Sequence, residues 1–220
     1  MNLDRFKFTG PVFTEKVARY ITLAAVFGFT ILTIMVVVFP PTTLDSWFSL
    51  EVQEHGNAFF DVFMKSVSSI GYIEYTVPLV MASSIVLLLI KQRKEALFML
   101  FTLTSGVVSS VVKYFVNRPR PAKDLVRVIE LTRQQSYPSG HVLFYTVFFG
   151  FVVFLMYRLK QIPVLLKLLI ATLSMTMIAL VSISRLYLGA HWLTDVLAGY
   201  MLGIICLYGL IRLYFSNFSL

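Results

Sequence analysis

Six stretches of the chain carry no charged residue and approach the length of a bilayer crossing: 20–39, 75–90, 96–112, 142–157, 168–184 and 196–211. A helix rises about 1.5 Å per residue, so roughly 17–25 apolar residues cross a hydrocarbon layer. No water serves the backbone there, and a run of this length must close its own hydrogen bonds as a helix. The shorter runs are flanked by uncharged or snorkelling residues that lengthen them. The pattern predicts an all-α, integral membrane bundle of six transmembrane helices, over about 20–39, 71–90, 95–113, 140–158, 166–184 and 192–212. Residues 1–220 would form a single membrane-embedded domain. Composition agrees: 58% of residues are hydrophobic and 14% charged, too little polar surface for a soluble domain of 220 residues.

The basic residues set the orientation. Arg5, Lys7, Lys16 and Arg19 precede the first span. Lys91, Arg93 and Lys94 follow the second, Arg158, Lys160 and Lys167 the fourth, and Arg212 closes the sixth. With Asp4, Glu15 and Glu95, this side holds eleven bases against three acids, and the other eight bases face eight acids. The whole net charge of +8 therefore lies on one side. Both termini are predicted cytoplasmic, with residues 40–70, 113–139 and 185–191 outside. The basic balance reflects topology, and no run of bases interleaved with aromatics suggests a nucleic-acid partner.

The first apolar run is too long for a cleavable signal, and Pro40-Pro41 follows it where small residues would mark a cleavage site, so it is expected to be an uncleaved anchor. Cys206, alone in an apolar run, is expected to pack. Residues 58–65 have the pattern of an external amphipathic helix lying at the membrane surface, with structural packing over the bundle mouth as its expected role. Trp47 and Trp192 suit the interfacial belt. Gly199-x3-Gly203, and Ser105, Gly106, Ser109 and Ser110, would let helices approach closely. Glu74 is expected at a snorkelling surface position, and His55 is given no catalytic role.

Lys113, Arg118, Arg120, Lys123, Arg127 and Arg133 crowd an external loop, against the charge rule. Fixed cations beside a membrane face suit an anionic substrate such as a phosphate. Arg127 and Arg133 are expected to meet lipid headgroups, and Asp124 and Glu130 to balance the loop's charge. Lys113-x6-Arg120-Pro121 ends a helix and passes a stiff Pro119/Pro121 turn that could aim both cations at one point; interface anchoring is the plainer alternative. Pro138-Ser139-Gly140-His141 opens the fourth span. A hydroxyl and free backbone N–H groups at a helix start bind an anion, and His141 stands where it could protonate a leaving oxygen. An ordinary capping turn has the same appearance. In Ser184-Arg185-x5-His191-x3-Asp195 the histidine and aspartate share one helix face. A carboxylate there can take one imidazole N–H and leave the other nitrogen free to attack, or the pair can be a polar contact at a helix end.

Together, in this order and on one predicted face, the three segments resemble the signature of the type-2 phosphatidic acid phosphatase superfamily of integral membrane lipid phosphatases. All eleven specified positions match, and the six-helix plan extends the resemblance over most of the chain. The resemblance implies that His191 is the nucleophile, forming a phosphohistidine, and that Asp195 orients its ring. His141 would be the general acid that protonates the departing lipid oxygen and later activates water. Lys113, Arg120 and Arg185 would hold the phosphoryl oxygens, with Ser139 and the Gly140 N–H completing the cradle. Three cations against a phosphoryl group of about two negative charges need no metal, so neither metal nor cofactor is expected.

The function these features predict is metal-independent dephosphorylation of a membrane lipid phosphate or diphosphate at the extracytoplasmic face of the cell membrane. Phosphatidylglycerol phosphate, undecaprenyl diphosphate and phosphatidic acid are the substrates to consider. One alternative is a lipid-to-lipid phosphotransferase using the same site. Another is a non-enzymatic lipid or anion transporter, which leaves two histidines and an aspartate unexplained and lacks the paired repeats of many transporters. Six apolar spans argue against a soluble vanadate-dependent haloperoxidase, which shares a related site in family terms. Substrate choice and oligomeric state have no decodable pattern.

Overall fold

The computed structural model describes residues 15–39, 43–54, 56–132 and 134–216. Asp4, Arg5, Lys7, Pro40, Pro41, His55 and Arg133 lie outside the described residues. Those described form nine helices and no strand: α1 (Glu15–Val38), α2 (Thr43–Gln53), α3 (Ala58–Ser69), α4 (Ile73–Leu89), α5 (Arg93–Phe101), α6 (Thr104–Val116), α7 (Gly140–Arg158), α8 (Val164–Tyr187) and α9 (Leu193–Phe215). α1, α7, α8, α9 and the α5–α6 pair are long and apolar enough to cross a membrane. A sixth candidate span is α4 together with α3, joined at a 55° bend. The chain is a multi-pass membrane protein with the expected all-helical plan.

Helix α7 is apolar all round, and such a helix needs neighbours on every side. It packs against α6, α8 and α9, and 61% of its most apolar stretch is buried, against 6% for α1 at the periphery. Phe144, Phe148, Phe151 and Leu155 of α7 share a core with Val181 of α8, Val196 and Leu202 of α9 and Phe98 of α5. Glycine lets α9 come close. A methyl group on Gly199 would stand 2.9 Å from the Ser139 carbonyl oxygen, and one on Gly203 2.6 Å from Thr146 Cβ.

One expectation, for Trp192, needs correction, and three other features add to the expected plan. The third span crosses as expected over Arg93–Val116, but its helix is interrupted at Thr102–Leu103, where the hydroxyls of Thr102, Thr104 and Ser105 donate to carbonyls three residues back, at 2.6, 2.7 and 2.7 Å, and compete with the helical ladder. Helix α3 packs on the bundle, its expected default role: Met64, Val67 and Ser68 are buried against α8, and Ser184 Oγ donates to the Met64 carbonyl at 2.7 Å. Phe59 and Val62 keep an exposed apolar face. Trp192 is 1% exposed and donates its indole N–H to the Pro119 carbonyl at 3.2 Å, so it is core and no belt residue, whereas Trp47 is exposed. Helix α2 packs on α8 and α9.

The two ends of the bundle differ. At one, Glu15 pairs with Arg212, Lys94 lies 4.7 Å over the Tyr214 ring, and Arg158 lies 5.2 Å over that of Phe215. The three motif segments collect at the opposite end, where α9 begins.

Candidate active site

A cavity of about 710 Å³ receives Lys113 from the end of α6, Arg120 from the following loop, Gly140 and His141 from the start of α7, Arg185 from the end of α8 and His191 just before α9. Its other walls come from Gly71, Tyr72, Ile73, Glu74, Thr76 and Val77 around the start of α4 and from the Leu103–Ser110 face of α6. Ser139 and Asp195 lie fully buried outside the lining. All eight expected site residues are thus at one place, six of them on the cavity wall.

Helix α6 ends at Asn117, whose left-handed backbone (φ 47°) returns its N–H to the Lys113 carbonyl and releases the chain into the loop. The Lys113 ammonium donates to the Gln135 carbonyl at 2.6 Å, holding the loop over the helix end. Arg120 is clasped in the same way: Nε donates to the Gln134 carbonyl at 2.6 Å and Nη1 to that of Ala190 at 2.5 Å. Burial, followed by the neighbouring Arg185, lowers the Arg120 guanidinium to about 10, which leaves it charged at neutral pH.

His191 is buried between Arg120 and Asp195. Its Nε2 lies 3.3 Å from Arg120 Nη1, and its Nδ1 lies 3.5 Å from Asp195 Oδ2. Burial holds the imidazole well below the ordinary histidine value, reinforced by Arg120, Arg185 and Lys113. The ring is therefore neutral, the state a nucleophile requires. Asp195 is itself immobilised. Oδ1 accepts from Arg118 Nη1 at 2.5 Å, and Oδ2 accepts the Trp192 N–H at 2.9 Å and the Ser136 hydroxyl. Its backbone carbonyl accepts the Ser139 N–H at 3.0 Å and ties the start of α7 to that of α9.

Arg185 is fully buried, yet Nη1 alone is bonded, to Glu130 Oε1 at 2.6 Å and to Ser68 Oγ. Nε and Nη2 have no partner among the described residues, and they form the edge with which a guanidinium grips a phosphate bidentately. Ser109 Oγ, Thr132 Oγ1, Ser139 Oγ and His141 Nε2 are likewise buried without a partner. Each such group costs about 1–3 kcal/mol, and several close together around one cavity mark a place built for a polar ligand. The His141 ring meets the edge of Tyr72 at 4.9 Å, and a methyl group on Gly71 would overlap it, so the α3–α4 corner sets its position.

Several functional partners lie outside the motifs. Glu130, expected only to balance loop charge, is the partner of Arg185. Arg127, expected to meet headgroups, pairs with Asp61 at 2.6 Å and donates its backbone N–H to Gln53 Oε1 at 3.0 Å. Gly106 and Ser110 line the cavity in place of a close helix contact, Ser109 lines it while also packing closely on Gly140 of α7, and Glu74, exposed as expected, also borders it. Ser68, Arg118, Ser136 and Asp45 obey no spacing rule. A faint signal for Arg118 and Asp45 was their charge beside helix ends in a chain so poor in charge. Among the described residues no three His, Cys, Asp or Glu side chains converge as a metal site, and the positive charge at His191 comes from Lys113, Arg120 and Arg185.

Comparison with known proteins agrees with this geometry. Phosphatidylglycerophosphatase B of Bacillus subtilis (strain 168) is 27% identical over 145 residues, covering 64% of this chain and 69% of that protein. The fold matches the crystal structure of a transmembrane PAP2-type phosphatidylglycerolphosphate phosphatase from Bacillus subtilis with a TM-score of 0.75 at 21% identity, over 88% of this chain and 96% of the other. Aquifex aeolicus LpxE follows with a TM-score of 0.61 at 21% identity, over 78% and 96%. The family model described as the PAP2 superfamily matches residues 94–219, more than half of the chain and all eleven motif positions, and the chain is accordingly a membrane-spanning phosphatase belonging to that superfamily.

Proposed function

We propose that this phosphatase removes phosphate from membrane lipid phosphates or diphosphates through a phosphohistidine at His191, on the extracytoplasmic side. The observation that carries the proposal is one continuous cavity. The His191 cluster forms its charged part, and Ile73, Val77, Leu103, Val107 and Phe144 form an apolar part between α4 and α6. A phosphate on an acyl or prenyl chain matches both parts; a water-soluble phosphate would leave the apolar walls without a partner.

The phosphoryl group lies between Lys113, Arg120 and the free edge of Arg185, with Ser139 Oγ and the Gly140 N–H at the start of α7. Nε2 of His191 attacks phosphorus, the bond to the lipid oxygen breaks, and His141 gives that oxygen a proton. Asp195 supports the proton that Nδ1 retains. Water, deprotonated by His141, then attacks the phosphohistidine and restores His191 with release of phosphate. The sidedness rests on the basic residues at the opposite end of the bundle, which positive-inside bias assigns to the cytoplasm together with both termini. Similarity to phosphatidylglycerophosphatase B makes phosphatidylglycerol phosphate the first substrate to try, ahead of undecaprenyl diphosphate and phosphatidic acid.

The test is phosphate release by the purified full chain from these three lipids, with and without chelator, beside His191→Ala. Release that survives chelation and vanishes in the variant is expected, with an acid-labile labelled phosphoenzyme in the wild type. Undiminished release by His191→Ala would overturn the mechanism. Transfer of label to an added acceptor lipid, with little free phosphate, would replace hydrolysis by phosphotransfer.

A further inference from the structure

Two buried carboxylates share one buried guanidinium behind His191. The side chains of Arg118, Asp45 and Asp195 are 4%, 1% and 0% exposed. Arg118 Nη2 donates to Asp45 Oδ2 at 2.9 Å, and Nη1 donates to Asp195 Oδ1 at 2.5 Å and to Thr194 Oγ1 at 2.7 Å. Asp45 reaches from α2 to cap α9, its Oδ1 accepting the Thr194 N–H at 3.0 Å and the Thr194 hydroxyl at 2.9 Å. The Arg118 carbonyl accepts the Ser136 N–H at 2.9 Å, and the Ser136 hydroxyl returns to Asp195 Oδ2, the oxygen nearest His191. Arg118 therefore governs both oxygens of Asp195 without bordering the cavity.

We propose that Arg118, anchored by Asp45, is a positioning residue that takes up part of the charge of Asp195 and so keeps the His191 ring neutral and aligned. The inference rests on the reading of His191 as nucleophile. An undivided carboxylate beside Nδ1 favours the imidazolium, which has no lone pair left to attack phosphorus. Facing His191 are Asp195 from α9, Lys113 from α6, His141 from α7, Arg185 from α8 and Arg120 from the loop; the Ser136 backbone carbonyl draws a proton onto the ring, and Asp195, 3.5 Å from Nδ1, is the one anion among the charged groups. Arg118 moderates the anionic influence, that of Asp195. Asp45 has two tasks: it holds the guanidinium in place, and it restricts how much of the positive charge Asp195 receives.

The test uses the full chain in lipid nanodiscs without substrate, following the His191 ring by ¹⁵N NMR, together with the pH dependence of kcat/KM for phosphate release. In Arg118→Gln, and in Asp45→Asn/Arg118→Gln where no second carboxylate is stranded, the His191 titration is expected to move up by about one unit. The acidic limb of kcat/KM moves with it. Near pH 6, kcat falls about ten- to a hundredfold with KM changed by no more than about twofold, because the phosphate cradle is intact. Arg118→Lys restores most of the titration. Asp45→Asn alone, which leaves Arg118 wholly to Asp195, is expected to move the titration down. These opposite directions are a signature that a mere strut does not give. A wild-type titration and pH limb in the folded Arg118 variants, or an upward shift in Asp45→Asn, would overturn the proposal whatever happens to kcat. Failure of the phosphohistidine reading appears separately, as activity that survives in His191→Ala.

Discussion

Nη1 of Arg120 lies 3.3 Å from Nε2 of His191, and a guanidinium can only donate. Nε2 therefore accepts, and the single proton of the neutral ring sits on Nδ1, toward Asp195. The lone pair that would attack phosphorus is held at the cavity wall until substrate arrives. Two outcomes are expected: ¹⁵N shifts of resting His191 showing the Nδ1–H tautomer, and a drop of about 10²–10³ in kcat/KM for Arg120→Ala, comparable to loss of one donor from an oxyanion site.

The depressed His191 value has a pH consequence. A free imidazole gains its proton near pH 6.5. The buried ring gains it lower, so the neutral ring that the proposed mechanism uses persists as pH falls through that point, and the acidic limb of kcat/KM is expected below it. Stability moves the other way. Below about pH 6.5 the unfolded ring takes a proton that the folded ring refuses, and stability is lost until the folded value is reached. Thermal unfolding measured over the same pH range as activity checks both directions.

Glu130 acts through Arg185. Because Nη1 is held by Glu130 and Ser68, the Nε–Nη2 edge is presented in one orientation. Glu130→Gln is expected to raise KM about tenfold, with a smaller effect on kcat, by loosening a bidentate phosphate contact worth about 1.5–3 kcal/mol. Steady-state kinetics on lipid micelles separates the two constants.

Gly199 and Gly209 of α9 form a matched pair. A methyl at Gly199 meets the backbone carbonyl of Ser139, which cannot yield without moving the start of α7; at Gly209 it meets nothing within 4 Å. Gly199→Ala is expected to cost about 1–3 kcal/mol and most of the activity. Gly209→Ala should gain about 0.5–1 kcal/mol with activity unchanged. Melting temperatures of the two variants in one detergent decide this.

The apolar runs and the spacing of the three motifs made the helical plan and the meeting of Lys113, Arg120, Ser139, Gly140, His141, Arg185, His191 and Asp195 legible, because local periodicity and short fixed spacings survive in one dimension. Glu130 was read as a charge balancer because its partner lies 55 positions away, and Asp45 meets Arg118 across 73. Such pairings depend on how helices pack, and no periodicity encodes that. Trp192 was misjudged for a related reason: an indole beside an apolar run suits a lipid interface, yet the loop folding over it supplied both cover and the Pro119 carbonyl. The break at Thr102 came from hydroxyls that an apolar-run criterion does not register.

The capping of α9 by Asp45 bears on how much of the chain makes a working unit. All eleven signature positions fall within residues 94–219, yet Asp45 and Ser68 lie upstream, as do the Val67 carbonyl that accepts the Tyr145 hydroxyl and the Thr33 hydroxyl 2.8 Å from that of Tyr137. A fragment trimmed to the family region would keep every recognisable residue and lose the outside grip on the first turn of α9 and on Arg185. Exchanging only the leading third between relatives would thus re-tune the catalytic centre without altering one signature letter.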